Sequence, residues 1–528
     1  MTITSSRKSL FILVALLILV GYVQAQNMFH FPYYQDSEGT SIANGWSLAS
    51  TGTLSPYTYA YNEAPAGSFL MSIWLAASGG LGAFGFSVNS GRVLMLVLHL
   101  MSVALLYGIA YKTTKSDLVA VITSLIFAFS PLVAVLQREV ILDNIMLVWL
   151  LAALYLILGE KRKLTHYLVS ALCFGLAVLT KGAAAFFLPA FIYIIRLKAD
   201  PFHKRFATSL WLALFVFFIA FYPLYAQMKQ ELFPQGWVLG GDFPHVSLLE
   251  RLGDRGPETG RFLNIGSGLP QSFATWVDLG NVAADPVLVY GGLICAVFVL
   301  LMALDNRNLR PILAMTLAYG VYLLFGGQIF DSAAVILLPF LALNVGIVAG
   351  AIAQWIGAHL SQPVLRYGLS TVVLAVMLYP FGIFYANRLG IYTVNQVAGQ
   401  IEAVSWVKAN LPKDALIVTD NYAFSDLRDT MPNAQHYWKV DTDPAVKFTL
   451  LDNDVCSIDY VLSTPQVYAD ITTFHLELMQ QALDRSQVLM SYPNQGWPVE
   501  VRQVSKQNCA PKTTANPTAG TKVADLPK

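Results

Sequence analysis

Two carboxylates lie close together a few residues after the first apolar segment of the chain. Residues 33–39 contain Asp36 and Glu38, separated by Ser37, and no Lys or Arg follows closely in the sequence to neutralise them. Carboxylates in such a position can act as a general base or bind a metal ion. A solvated loop is the alternative interpretation, because two acids at this spacing form a short motif.

A second cluster, residues 137–144, is a short polar connection between two apolar segments and contains Arg138, Asp143 and Asn144. Charged groups at the edge of a bilayer are costly unless they pair with each other or meet a charged ligand. The guanidinium of Arg138 offers a bidentate fork for phosphate. The alternative interpretation is that Arg138 snorkels to the membrane interface and Asp143 is the N-cap of the next helix.

Lys181 and Glu63 belong to two further clusters. Lys181 lies in residues 179–182, between two apolar runs, where it faces either a cavity or the membrane interface. Residues 55–67 combine Pro and Tyr with Glu63, and aromatic faces of this kind can stack on sugar rings or form an interfacial belt.

Composition determines the environment in which these residues act. Of the 528 residues, 55% are hydrophobic and 12% are charged, about half the charged fraction of soluble domains. The chain is therefore an integral membrane protein, which excludes a soluble enzyme and a disordered chain. A net charge of +1 without a basic face argues against nucleic-acid binding, and the Cys and His spacing does not support a structural zinc site.

Apolar runs of spanning length predict about eleven transmembrane helices, the first of which we interpret as an uncleaved anchor. Lys and Arg concentrate in alternate connections, whereas residues 26–91 contain neither. The positive-inside rule then predicts a cytoplasmic N-terminus and an extracytoplasmic C-terminus. The predicted spans are 9–25, 92–111, 118–136, 143–159, 165–180, 183–196, 206–227, 285–304, 311–326, 331–356 and 366–386.

The sequence predicts three regions along the chain. Residues 1–386 form the transmembrane catalytic domain, with long outer loops at 26–91 and 228–284. Alternating helical and strand patterns in residues 387–509 predict a small extracytoplasmic α/β domain. Residues 510–528 are predicted to form a disordered tail.

Two cysteines, Cys456 and Cys509, fall in the predicted extracytoplasmic domain. An oxidising compartment would permit a disulfide between them, and two free thiols are the alternative.

The order, sides and spacing of these motifs resemble those of the GT-C glycosyltransferases, and within them the protein O-mannosyltransferase and aminoarabinose transferase group. The resemblance covers residues 9–230 well and the remainder in its topology. It is carried by Asp36, Glu38 and Gly39 after the first span, by the Pro- and Tyr-rich residues 52–67, by Arg138 with Asp143 and Asn144, and by the GLAVLTKG run at 175–182.

This resemblance implies a GT-C-like, α-helical polytopic protein that transfers a hexosyl or pentosyl group from a polyprenyl-phosphate-linked donor, with inversion. The acceptor would be a hydroxyl of a protein, lipid or glycan on the outer face of the cell membrane. Asp36 would be the base, with Glu38 assisting it. One base suffices, because the phosphate leaving group needs no general acid.

The remaining motif residues receive roles from the same resemblance. Arg138 and Lys181 would bind the donor phosphate, and Asp143 and Asn144 would organise the Arg138 turn. Glu63 is a further site-organising residue, and it is the next candidate for a base if neither Asp36 nor Glu38 acts as one. No cofactor is certain, and a divalent metal remains open.

Two departures from the family pattern concern Ser37, which separates the two acids, and Pro65, which stands where the family has a proline pair. Outside the enzyme class, a transporter is the main alternative, because many spans with intramembrane charges also describe carriers. A membrane protein that senses a ligand through its outer domain is the other.

Overall fold

The computed structural model describes residues 2–54, 61, 64–159, 163–243, 245–253, 285–325, 334–360, 362–493, 497–507 and 509. Residues 2–386 are mostly helical within that part of the chain. The helices are α1 (Thr2–Ala25), α2 (Asp36–Thr51), α3 (Ala66–Ser78), α4 (Ser87–Thr114), α5 (Asp117–Phe129), α6 (Pro131–Leu136), α7 (Leu142–Ile157), α8 (Leu164–Thr180), α9 (Leu188–Lys198), α10 (Lys204–Ile219), α11 (Phe221–Met228), α12 (Leu248–Gly253), α13 (Pro286–Asp305), α14 (Arg310–Phe325), α15 (Ala334–His359) and α16 (Pro363–Ala386).

Six helical segments in the described part of the chain are long and apolar enough to cross a membrane unaided, and several shorter apolar helices pack beside them. Within the described residues, the predicted spans fall on helical segments, and some spans are divided between two helices. The span predicted at 118–136 consists of α5 and α6, separated at Ser130, whose hydroxyl accepts from the backbone N–H of Val133 while Pro131 begins α6. Proline is favoured at a first helical position because its missing N–H would have no helical partner there.

Residues 26–91, for which the sequence predicts a long outer loop, contain the helices α2 and α3. Helix α2 begins with a capping box. The Gln35 side chain accepts from the backbone at Glu38, and Glu38 accepts from the Gln35 backbone N–H at 3.0 Å. The acidic residues Asp36 and Glu38 in the first turn also suit the positive end of the helix dipole. The helix ends at Gly52, which adopts a left-handed conformation with φ 73°.

Residues 398–504 form a small α/β domain, as the sequence predicted. Its sheet has five strands, which in spatial order are β2 (Gln435–His436), β1 (Ile417–Thr419), β3 (Tyr460–Ser463), β5 (Val499–Val504) and β4 (Ser486–Tyr492). Strand β1 pairs in parallel with β2 and β3, while β5 pairs antiparallel with β3 and β4. Cys456 and Cys509 form the disulfide that the sequence permitted. The elements are α17 (Ala398–Asn410), β1 (Ile417–Thr419), α18 (Asn421–Leu427), β2 (Gln435–His436), α19 (Tyr437–Thr442), β3 (Tyr460–Ser463), α20 (Pro465–Phe474), α21 (Glu477–Asp484), β4 (Ser486–Tyr492) and β5 (Val499–Val504).

This C-terminal domain packs directly on α2 and α4. One apolar cluster joins the two parts and includes Ile42 and Val88 from the membrane part and Val404 and Tyr422 from the domain. Hydrogen bonds strengthen this contact between the two parts, since the Gln400 side-chain amide both donates to and accepts from the Tyr34 backbone at 2.8 Å. The described residues of 26–91 and the C-terminal domain therefore lie on the same face of the molecule.

Candidate active site

Asp36, the first residue of α2, lies at the junction between the membrane part and the C-terminal domain. Its Oδ1 accepts from the backbone N–H of Asn421 at 2.8 Å and lies 2.9 Å from Nε2 of His436. An ionised carboxylate can only accept, so His436 donates through Nε2–H. Asp36 is 7% exposed, and both partners come from the C-terminal domain.

Helix α2 can approach the domain this closely because residue 39 is a glycine. A Cβ at Gly39 would lie 2.0 Å from the carbonyl carbon of Asn421. One residue further along α2, the Asn421 side chain donates to Thr40 Oγ1 at 2.6 Å. The first turn of α2 therefore packs against the start of α18, and this contact brings Asp36 within hydrogen-bonding distance of Asn421 and His436.

The C-terminal domain contributes the carboxyl ends of its three parallel strands to this junction. His436 ends β2, Asp420 follows β1 directly, and Thr464 follows β3 and donates to Asp420 at 3.1 Å. In open sheets with parallel strands, the edge formed by the carboxyl ends is the usual place for ligands. Here Asp36 of the membrane part lies at that edge.

Burial, hydrogen bonds and nearby charges shift the pKa values of the two neighbouring acids, Asp36 and Asp420, in opposite directions. Burial alone would raise the pKa of Asp36, but the charge and hydrogen bond of His436, together with the Asn421 N–H, outweigh it and hold that pKa below its ordinary value. Burial and the neighbouring Asp36 charge raise the pKa of Asp420 well above its ordinary value. Of the two neighbouring acids, Asp36 therefore has the lower pKa and Asp420 the higher.

Glu38 faces away from Asp36, into the membrane part. Its carboxylate forms an ion pair with Arg92 of α4, with N–O distances of 3.0 and 2.9 Å, and both side chains are inaccessible to solvent. Glu38 also accepts from the backbone N–H of Val140 at 3.1 Å. These contacts tie α2 to α4 and to the turn that follows Arg138.

Arg138 is buried and binds backbone carbonyls. Its guanidinium donates to the carbonyl oxygens of Ile391 at 3.1 Å, Gln26 at 2.9 Å and Gln24 at 3.3 Å, and it lies over the ring of Tyr392. Arg138 thereby connects the end of α1 to the segment that leads into the C-terminal domain.

Lys181, just after α8, pairs with Asp143 at the start of α7, with an N–O distance of 2.5 Å. The Lys181 side chain is 21% exposed, whereas that of Asp143 is 2% exposed. Helix α3 packs beside this pair, since a Cβ at Gly67 would lie 3.0 Å from Thr180 Cγ2. Asn144 donates to the carbonyls of Leu136 and Glu139 and so stabilises the Arg138 turn.

The predicted site residues thus divide into separate networks. Asp36 joins His436 and Asp420, while Glu38 joins Arg92. Glu63 lies outside the described residues. Among the described side chains, no group of three or more His, Cys, Asp or Glu is arranged to hold a metal ion.

His436 and Asp420 were not predicted from the sequence as site residues. Four hundred positions separate His436 from Asp36 in the chain, and no local spacing relates them. A signal did exist for Asp420, because it directly follows Ile417–Thr419, three β-branched residues of a kind typical of strands, and residues at the carboxyl ends of parallel strands converge.

A family described as dolichyl-phosphate-mannose-protein mannosyltransferase matches residues 64–226, a segment that contains Arg138, Asp143, Asn144 and Lys181. None of the curated protein sequences matches the chain significantly.

Several solved structures share the fold of the chain. ArnT from Cupriavidus metallidurans, bound to undecaprenyl phosphate, has 14% identity and a TM-score of 0.56, with 93% of this chain and 97% of that chain covered. The oligosaccharyltransferase of Archaeoglobus fulgidus in the apo form has 13% identity and a TM-score of 0.56, covering 89% and 72%.

The Archaeoglobus fulgidus enzyme AglB, in complex with an inhibitory peptide and a dolichol-phosphate, has 11% identity and a TM-score of 0.52, covering 95% of this chain and 75% of that chain. The chain therefore has the fold of the GT-C glycosyltransferases, and the resemblance indicated by its sequence is confirmed.

Proposed function

We propose that the chain is a membrane glycosyltransferase that moves a sugar from a polyprenyl-phosphate donor to an acceptor hydroxyl. The observation that carries this proposal is the carboxylate of Asp36 at the junction of the membrane part and the C-terminal domain, where His436 and the Asn421 N–H both contact its Oδ1. The fold supports it, because the similar structures include one bound to undecaprenyl phosphate and one bound to a dolichol-phosphate.

The proposed reaction is a single displacement with inversion at the anomeric carbon. The acceptor hydroxyl attacks that carbon, its proton passes to Asp36, and the bond from the anomeric carbon to the phosphate oxygen breaks. The electron pair of that bond leaves with the polyprenyl phosphate, which is a stable anion. A carboxylate with a lowered pKa is a weak base, so it takes the proton late, when the forming bond has made the hydroxyl acidic.

Cations near the ends of α7 and α8 would hold the donor phosphate. Lys181 is partly exposed and is held by Asp143, which supports it as the first cation that the phosphate meets. Arg138 is the second proposed ligand, and it would have to exchange carbonyl partners for phosphate oxygens. Asn144 keeps the Arg138 turn in place.

The finer properties rest on the family resemblance and on the distribution of charge. The transferred group is a hexosyl or pentosyl unit, and the acceptor is a protein, lipid or glycan. The N-terminus would be cytoplasmic and the C-terminal domain extracytoplasmic, in the cell membrane, because Lys and Arg avoid residues 26–91.

The experiment uses the purified full chain in lipid nanodiscs with a panel of undecaprenyl-phosphate-linked hexoses and pentoses. We expect at least one donor to release undecaprenyl phosphate when acceptor is present, and the release to require Asp36. A chain that is folded yet neither binds undecaprenyl phosphate nor releases it from any donor would contradict the proposal. A transporter or a ligand sensor would give that result.

A further inference from the structure

We propose that His436 of the C-terminal domain is a positioning residue of the transfer site, which holds the Asp36 carboxylate in one orientation for the acceptor hydroxyl. This inference rests on the proposed function for its catalytic consequence. It makes the C-terminal domain a part of the reaction site.

The geometry of the contact supports this role. His436 Nε2 and the Asn421 N–H meet the same oxygen of Asp36, Oδ1, at 2.9 and 2.8 Å. Two donors on one carboxylate oxygen fix the carboxylate plane, because rotation would break both hydrogen bonds. A base held in one orientation avoids the loss of rate, up to about 10²-fold, that misplacement by 1 Å can cause.

The position of His436 is itself held by the fold. It is the last residue of β2, paired in parallel with Thr419 of β1, and its ring packs edge-on against Tyr437 with centroids 4.9 Å apart. Tyr437 in turn donates to Asp470 of α20 at 2.5 Å. His436 therefore reaches Asp36 from a hydrogen-bonded sheet.

Four groups determine the charge around this contact. Asp36 lies opposite His436. The other three groups are Asp420, directly after β1, Asp470 in α20, and Tyr437, the first residue of α19. Three of these groups are acids that share one buried region with a single imidazole. Loss of the imidazole removes the positive or hydrogen-bond-donating partner that favours the ionised form of Asp36, so Asp36 should then bind a proton at higher pH.

The kinetic test compares His436→Ala and His436→Gln, since the Gln amide can replace the Nε2–H donor but lacks the imidazole ring. We expect His436→Ala to lower kcat by roughly 10- to 100-fold, with unchanged binding of undecaprenyl phosphate. The acidic limb of kcat/KM should move to higher pH. His436→Gln should fall between His436→Ala and wild type in both properties. His475→Gln, an exposed histidine of the same domain, is the matched control.

Equal losses in both His436 variants with an unmoved acidic limb would mean that His436 only supports packing, and would overturn the inference. Wild-type kinetics in both variants would overturn it as well. If Asp36→Asn itself kept wild-type transfer, the proposed function would fail instead, which separates the two claims.

A second measurement requires no substrate. The lowered pKa of Asp36 gives the folded state stability that is present above the ordinary carboxyl pKa and is lost as pH falls through the folded-state pKa. His436→Gln should move acid unfolding to higher pH in the wild-type background, and less so in the Asp36→Asn background. Equal shifts in both backgrounds would show no coupling between the two residues and would contradict the inference.

Discussion

Gly39 of α2 lies directly against the backbone of Asn421, with no room for a side chain between them. A Cβ at Gly39 would lie 2.0 Å from the Asn421 carbonyl carbon and 2.3 Å from the Tyr422 nitrogen. Both obstacles are backbone atoms, which cannot move aside as a flexible side chain would. This contact allows the first turn of α2, and with it Asp36, to meet the C-terminal domain.

We therefore expect Gly39→Ala to force α2 and α18 apart. The cost should be about 1–3 kcal/mol of unfolding free energy, as for other overpacked sites, and transfer should fall because Asp36 separates from His436. Thermal unfolding followed by intrinsic fluorescence, together with initial rates, checks this. Gly82→Ala is the control, because a Cβ at Gly82 meets nothing within 4 Å. An unfolding temperature and rate for Gly39→Ala equal to those of Gly82→Ala would contradict the close contact.

The Glu38–Arg92 ion pair predicts a loss of stability. Glu38→Gln leaves Arg92 charged and unpaired in a region that solvent does not reach, at a cost of about 3–5 kcal/mol. The double change Glu38→Gln with Arg92→Met should recover part of that loss, because the buried charge is then gone. Denaturation of the purified variants measures both effects. A fully stable Glu38→Gln variant that had lost transfer would instead assign Glu38 to the chemistry.

The two cations should respond differently to substitution. Lys181→Met should weaken the binding of undecaprenyl phosphate several-fold, whereas Lys181→Arg should retain most of it, since the charge is kept. Arg138→Lys should lower both the transfer rate and the unfolding temperature, because a lysine cannot reach three carbonyls and lacks the bidentate fork.

Titration calorimetry measures the binding of undecaprenyl phosphate, and Lys198→Met is the control. Lys198 is the last residue of α9, remote from this site, and its side chain donates a hydrogen bond to Asn308. If Lys181→Met bound the lipid phosphate as tightly as Lys198→Met did, Lys181 would not be a phosphate ligand.

Asp470 gives a dependence of stability on pH that can be measured without substrate. Burial raises its pKa to about 6, so the folded chain binds a proton more tightly than the unfolded chain. That contribution is present below the ordinary carboxyl pKa and is lost as pH rises through about 6. Asp470→Asn should therefore raise the unfolding temperature at pH 7.5 and have little effect near pH 3.5. A lower unfolding temperature at pH 7.5 would contradict the assignment.

Apolar runs predicted the membrane helices well, because a spanning helix carries its signal in its own residues. Helix α2 gave no such signal. Its sequence, DSEGTSIANGWSLAST, is polar although much of it is buried, because it packs between two parts of the chain and bonds to both. Its capping box at Gln35 and Glu38 was the local feature that could have indicated a helix start.

The residues of the candidate site were likewise predicted from the sequence only in part. Asp36 and Glu38 could be identified from their position after the first span. Their separate roles depend on partners 400 and 54 positions away, His436 and Arg92. Tertiary contacts of this kind cannot be read from spacing along one sequence. The parallel strand order that brings Asp420 and His436 to one edge became visible only in the folded domain.

The most direct test of the account is the rate of sugar transfer by Asp36→Asn, measured beside the binding of undecaprenyl phosphate to the same preparation. Loss of a general base costs about 10²–10⁴-fold in rate. We therefore predict a nearly inactive Asp36→Asn variant that still binds the lipid phosphate, and a smaller loss for Glu38→Gln at temperatures where that variant is folded. Wild-type transfer by folded Asp36→Asn would contradict the role of Asp36 as the base.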